Sequence, residues 1–250
     1  MGFVPVFKRE LKIYFLLPST YVVFFVFLLL SGYFFYTNLI QFNWFNIRGT
    51  ASLVTGMWQY YFNDVRLLLT LILPLLTMRL LSEEKKLGTI ELMTTYPIKD
   101  VGIVLGKYAA CVAVFTVLLS CTLVYPIMLG IFWGFAEIAP VLSGYFGVFL
   151  LGSSLIACGL FISSLTENQV VSAMGTMGVF IFLWFITWNE MVGSEELIAF
   201  LKRISLFDRV FDFFKGVINT KDIVFFLLGA LYFLFLTRLS LGSREWKGVK

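Results

Sequence analysis

The 250-residue chain contains no histidine and only three cysteines. Without histidine the chain has no imidazole metal ligand and no histidine general base, which excludes hydrolase chemistry of the Ser–His type. Cys111, Cys121 and Cys158 all lie inside apolar runs. We therefore expect small buried thiols and not a disulfide framework.

Charge is also scarce, since only 14% of the residues are charged whereas 60% are hydrophobic and the mean hydropathy is +0.91. A soluble domain averages about 25% charged residues, which it needs to cover its surface. The charges are clustered, and the apolar runs between them are too long for one globular core. The composition predicts a membrane protein, and the net charge of +4 does not indicate nucleic-acid binding.

Six apolar runs approach the roughly 20 residues that a helix needs to cross a bilayer. They are Tyr21–Ile40, Val65–Leu81, Tyr108–Gly134, Val141–Leu165, Val170–Trp188 and Ile223–Leu239. We therefore expect an all-α polytopic membrane protein with six transmembrane helices in one domain, residues 1–250. In the short second run, Arg66 and Arg79 lie near the two ends and are expected to reach the lipid headgroups.

Six spans place both termini on one side of the membrane, and that side carries most of the basic residues. The positive-inside rule then predicts cytoplasmic termini in a bacterial-type inner (plasma) membrane. Residues 1–19 mix charged and apolar side chains and predict an interfacial helix on the inner surface. Residues 189–222 predict an extracytoplasmic amphipathic segment, either packed on the outer ends of the spans or interfacial without a further role.

The fourth run is rich in small residues, which allow helices in lipid to approach closely. They include Gly144, Gly147, Gly152, Gly159, Ser163 and Ser164. We expect this face to pack mainly within the chain, although a contact with a second copy is the alternative.

Residues 82–106 form a charged loop between the second and third runs. Gly88 is expected to end the preceding helix, Thr89 to cap a new one and Pro97 to stop it. The result is a helix of about two turns, roughly 12 Å long, that carries Glu91 and Leu92. The alternative is a solvated connector whose glycine and proline are ordinary loop residues.

This loop resembles that of the ABC-2-type permeases, in the branch that includes the gliding-motility and nitrous-oxide-reductase-maturation permeases. The matching positions are Met78, Arg79, Glu83, Glu84, Gly88, Thr89, Glu91, Leu92, Pro97, Gly106 and Lys107. Two further stretches, Ser163–Gln169 and the ending from Ser205 to Trp246, are similar to the same family. The resemblance implies a coupling helix that fits a cleft of an ATPase subunit.

The contacts that the resemblance implies with the ATPase are Glu83, Glu84, Gly88, Thr89, Glu91, Leu92 and Pro97, with Glu167 and Asn168 as a candidate second contact. The implied partners are an ABC ATPase subunit, a second permease half that is identical or paralogous, and a candidate extracytoplasmic auxiliary protein. The implied function is a permease subunit that couples ATP hydrolysis to substrate movement, with export as the expected direction. The alternative is a force transducer or membrane scaffold that moves no solute.

An ATP site within the chain itself is not expected. Gly102–Lys107 has only three residues between its glycines, and Tyr108 stands where a P-loop needs Ser or Thr to hold Mg²⁺. We therefore expect a non-catalytic chain that binds no cofactor, with ATP and Mg²⁺ in the partner subunit.

Overall fold

The computed structural model describes residues 3–46, 57–88, 100–133, 138–185 and 205–242, and regular structure within these ranges is helical, without strands. The helices are α1 (Phe3–Leu16), α2 (Pro18–Asn46), α3 (Gln59–Thr77), α4 (Arg79–Lys86), α5 (Asp100–Cys121), α6 (Val124–Trp133), α7 (Ile138–Leu165), α8 (Gln169–Phe185), α9 (Leu206–Phe214) and α10 (Thr220–Gly242). The predicted all-α class is confirmed.

Among the described residues, five helical stretches are long and apolar enough to cross a membrane. They are Pro18–Asn43, Gln59–Lys86, Asp100–Ile131, Ile138–Leu165 and Thr220–Gly242. Each contains most or all of one predicted span. The remaining predicted span, Val170–Trp188, corresponds to α8, an apolar helix of 17 residues that is shorter than those five stretches. The last three residues of that predicted span lie outside the described ranges.

The centre of the bundle is built from α3 and α7. In the most apolar 18 residues of each stretch, 72% of the residues are buried in the stretch that contains α3 and 78% in α7, whereas only 17% are buried in α2 and 22% in α10. Since α2 and α10 are apolar along their length but leave most of their side chains exposed or only half buried, they have the character of helices that face lipid.

The small residues of α7 lie where other helices approach it most closely. A Cβ atom on Gly144 would lie 2.2 Å from the ring of Phe62, and one on Gly159 would lie 2.4 Å from Thr77 Oγ1. Gly147 is covered in the same way by Phe213 of α9. The expected packing of this face within the chain is confirmed.

Within the predicted segment 189–222, the structure describes residues 205–222. Ser205 caps α9 by accepting a 3.2 Å hydrogen bond from the Asp208 amide. One face of α9, carrying Val210 and Phe213, is fully buried against α7, where Ser143 Oγ donates to the Phe213 carbonyl at 2.7 Å. The helix is amphipathic as predicted, and its apolar face forms part of the core.

Arg66 does not reach outward, so that expectation is wrong. Its side chain is buried, and Nη1 donates to the Phe207 carbonyl at 2.8 Å. The guanidinium carbon lies 4.6 Å from the ring centre of Trp184 and 4.5 Å from that of Phe211. Arg66 therefore connects α3 to α8 and α9, because the aromatic faces and the carbonyl replace water around its charge.

The helices bring α1, α4, the start of α5, the α7–α8 turn and the last turn of α10 to one end of the bundle, here called the basic end. Ser240 Oγ of α10 donates to the Ser164 carbonyl at 3.4 Å, and Lys85 Nζ of α4 donates to the same carbonyl. The described basic residues at this end are Lys8, Arg9, Lys12, Arg79, Lys85, Lys86, Lys107 and Arg238. The opposite end contains α9.

Candidate functional site at the basic end

The α3–α4 junction is fixed to the end of α7 by one serine hydroxyl, that of Ser163. Ser163 Oγ accepts from the amides of Leu81 and Ser82 at 3.1 Å each, and it donates to the Met78 carbonyl at 3.1 Å. These contacts satisfy backbone groups where α3 passes into α4 at Met78. The last turn of α7 therefore helps to set the position of α4.

Three buried charges connect α1, α4 and α5. Lys107 Nζ lies 2.9 Å from Glu10 Oε1 and 2.8 Å from Glu84 Oε1, and the lysine side chain is only 1% exposed. Arg9 Nη1 lies 3.9 Å from the same Glu84 oxygen but is half exposed. We call Glu10, Glu84 and Lys107 the ion cluster. Because each charge is removed from water, these short pairs are much less screened than surface pairs.

Helix α1 meets α5 along a face formed by Val6, Glu10 and Tyr14 at spacings of four residues. A Cβ atom on Gly106 would lie 2.9 Å from Val6, so the glycine allows the close approach. Tyr14 OH donates to the Leu76 carbonyl of α3 at 2.8 Å. Burial raises the pKa of the Tyr14 phenol well above its ordinary value, which keeps the group protonated as a donor.

The predicted end of the helix at Gly88 is confirmed. Helix α4 ends at Lys86, and Gly88 has a φ of 66°, a backbone angle that residues with a Cβ atom rarely adopt. The Gly88 amide donates to the Lys85 carbonyl at 3.2 Å. Gly88 is exposed, and apart from its chain neighbours no atom of the described residues lies within 4 Å of the position of a Cβ atom there.

The predicted ATPase contacts divide into three groups. Glu84 is buried in the ion cluster, Glu83 is half buried one residue earlier, and Gly88 is exposed at the helix end. Thr89, Glu91, Leu92 and Pro97, and with them the predicted coupling helix, lie outside the described residues. Glu84 therefore has a clear role in holding α4 to α5, whatever else it contacts.

Glu167 and Asn168 form the exposed turn between α7 and α8 at the same end. Asn168 Oδ1 accepts from the Val170 amide at 2.9 Å, and its carbonyl accepts from the Ser172 amide at 2.9 Å. Asn168 thus acts as the cap that starts α8. This capping role explains the presence of Asn168 without any contact to another protein. The exposed turn itself lies beside α4.

Two members of the ion cluster, Glu10 and Lys107, were missed as site residues by the sequence prediction. Each has a visible signal. Glu10 lies four residues from both Val6 and Tyr14, so it is a charge on the apolar face of a helix, and Lys107 stands at the start of an apolar run. What the sequence does not show is that these residues meet.

The basic end also contains a cavity of about 220 Å³ between α1, α4 and the start of α5. Its lining residues are Arg9, Glu10, Ile13, Tyr14, Leu17, Arg79, Leu80, Glu83, Glu84, Leu87 and Lys107. Across the parts of the chain with described positions, no three Cys, Asp or Glu side chains come together as a group that could hold a metal ion.

Comparison of the chain with protein-family models and with curated proteins finds no match.

Proposed function

We propose that this chain is the membrane-spanning permease subunit of an ABC-2-type transporter, which couples ATP hydrolysis by a separate subunit to substrate movement, in the export direction. The chain crosses the inner membrane six times, with both termini and the basic end in the cytoplasm. It works with an ATPase pair and a second permease half, either a copy of itself or a paralogue.

The observation that carries this proposal is the anchoring of the connection between α4 and α5. Glu84 lies before this connection and Lys107 after it, and the two side chains form a 2.8 Å buried ion pair. A force applied to residues 89–99 would therefore reach α4 and α5 together, and α1 through Glu10. Such a rigid base is what a segment needs if it transmits the closure of an ATPase to a helical bundle.

The sixth span is supported by the course of α8. The helix starts at the α7–α8 turn of the basic end, and Trp184 near its other end packs 5.4 Å from Phe207 of α9 at the opposite end. The helix therefore traverses the bundle, although its described part is short for a span. The basic residues gathered at one end support a cytoplasmic position for that end.

Charge reversal at Glu91 tests the coupling role. We expect Glu91→Lys to abolish the stimulation of the ATPase subunit by this chain while insertion and folding remain normal, because the residue lies in the proposed coupling helix. Asp212→Lys is the matched control, since Asp212 is exposed on α9 at the opposite end. ATPase rates of the purified complexes in lipid nanodiscs give the measurement.

Purification of the tagged chain in mild detergent supplies the second test. A stoichiometric subunit with Walker A and Walker B motifs is expected to accompany it. If the chain purifies alone and Glu91→Lys behaves like Asp212→Lys, the chain is a membrane scaffold. If the ATPase is present and coupled but reconstituted vesicles move no solute, the complex transduces force to a machine outside the membrane.

A further inference from the structure

The cavity at the basic end has two kinds of wall. One is charged, and the other is apolar and formed by Ile13, Leu17, Leu80 and Leu87. The cavity lies where α1 passes into α2 and where the long helical stretch Gln59–Lys86 ends. Because two membrane-length helices end there, the cavity lies at the depth where lipid headgroups meet acyl chains.

Most of the charges that line the cavity compensate one another. Lys107 contacts both Glu10 and Glu84, and Arg9 lies 3.9 Å from Glu84. Arg79 and Glu83 are different, since neither forms an ion pair within the described ranges. They are four residues apart on one continuous helical stretch, so both can face the same ligand. The cavity therefore offers one positive and one negative group, with no net charge.

Arg79 retains donor capacity. Nη1 donates to Ser19 Oγ at 2.9 Å, whereas Nε is buried and has no acceptor among the described residues. Leaving a buried, charged N–H group without an acceptor is unfavourable. A guanidinium group presents its donors as a planar fork that matches two oxygens of a phosphate.

We propose that this cavity binds the headgroup of a zwitterionic aminophospholipid. The phosphodiester accepts hydrogen bonds from Arg79, the primary ammonium lies on the Glu83 carboxylate, and the acyl chains pass over Ile13, Leu17 and Leu87. The bound lipid connects the N-terminal helix to α4. Lipid binding here does not require the proposed ATPase coupling, although Glu83 is also one of the predicted ATPase contacts.

The balance of charge selects this lipid class. An anionic headgroup without an amine would use Arg79 but leave Glu83 close to the phosphate, which is unfavourable for two like charges. Free phosphate would satisfy Arg79 but leave the apolar wall exposed to water. A headgroup with both charges, attached to acyl chains, uses all three parts of the cavity.

The test is binding to the delipidated, detergent-purified full-length chain, followed by native mass spectrometry and thermal unfolding. The ligands are phosphatidylethanolamine, phosphatidylglycerol, diacylglycerol and inorganic phosphate. Arg79→Gln is compared with Arg238→Gln, an exposed arginine at the same end. We expect phosphatidylethanolamine to bind best, Arg79→Gln to weaken it tenfold or more, and Arg238→Gln to leave it unchanged.

A second variant separates the two polar contacts. Glu83→Gln is expected to remove the preference for phosphatidylethanolamine over phosphatidylglycerol while both lipids still bind. If Arg79→Gln does not fold, Arg79→Lys keeps the charge without the fork and is expected to weaken binding in a folded protein. Elution as a single species at the position of the unaltered chain shows that a variant is folded.

Four results would overturn the proposal. Equal binding by Arg79→Gln and Arg238→Gln would exclude the phosphate contact. Equal stabilisation by diacylglycerol would reduce the site to an apolar cleft, and equal stabilisation by inorganic phosphate would make it an anion site. Tighter binding of phosphatidylglycerol to the unaltered chain would remove the role of Glu83.

Discussion

Replacing Lys107 with methionine keeps much of the side chain's length but removes the charge that Glu10 and Glu84 share. All three side chains are at most 10% exposed, so water cannot take the place of the ammonium without a rearrangement. Removing one partner of a buried ion pair costs about 3–5 kcal/mol, because the other charge stays buried without compensation. We expect Lys107→Met to lower the free energy of unfolding by an amount in this range.

The measurement is reversible denaturation of the purified chain in mixed micelles, followed by circular dichroism. Lys86→Met is the control, because Lys86 is exposed on α4 and should change the value by no more than about 0.5 kcal/mol. Adding Glu10→Gln and Glu84→Gln to Lys107→Met should recover most of the loss, since no charge of the ion cluster then remains buried. If Lys107→Met costs no more than Lys86→Met, the ion cluster does not stabilise the basic end and the reasoning fails.

Two further variants test the opposite end and the core by the same denaturation assay. Arg66→Met should lower the free energy of unfolding by about 2 kcal/mol or more, because it removes a desolvated cation from two aromatic faces and a donor from a buried carbonyl. The control Arg238→Met, at an exposed residue, should be close to neutral. Equal effects of the two variants would contradict the role of Arg66. Gly152→Ala should cost about 1–3 kcal/mol, since its Cβ atom would lie 2.4 Å from the ring of the buried Phe115. Beyond the backbone of its own helix, no atom of the described residues lies within 4 Å of a Cβ atom on Gly178. Gly178→Ala should therefore stay within about 0.5 kcal/mol, and a loss as large as that of Gly152→Ala would show that the cost is not steric.

The helical class and most of the membrane-length helices could be predicted because both depend on local sequence. A long apolar run without charges has few alternatives to a helix in lipid, since each backbone group must find its partner within the segment. Gly88 was predictable for the same reason, because the end of a helix with a positive φ depends on its own residue. The small residues of α7 likewise predicted close packing, though not which side chains would cover them.

The contacts between distant residues could not be predicted. Arg66 looked like a residue at the end of a span, yet the carbonyl that it binds belongs to Phe207, 141 positions later. Lys107 and Glu10 are 97 positions apart, and nothing in either local sequence selects the other. The spacing of charged and apolar residues in the sequence can suggest that a charge is buried. The residue that it pairs with is determined only by the packing of the helices.

The ion cluster and the proposed coupling helix should respond differently to mutation, and the difference bears on the mechanism. Lys107 and Glu84 hold the two helices that flank residues 89–99, so replacing either weakens the fold and any coupling together. Glu91 lies inside that stretch, and its replacement should change coupling alone. If Glu91→Lys instead destabilised the isolated chain as much as Lys107→Met, the stretch would be part of the core of this chain. It would then not be a surface that serves another subunit.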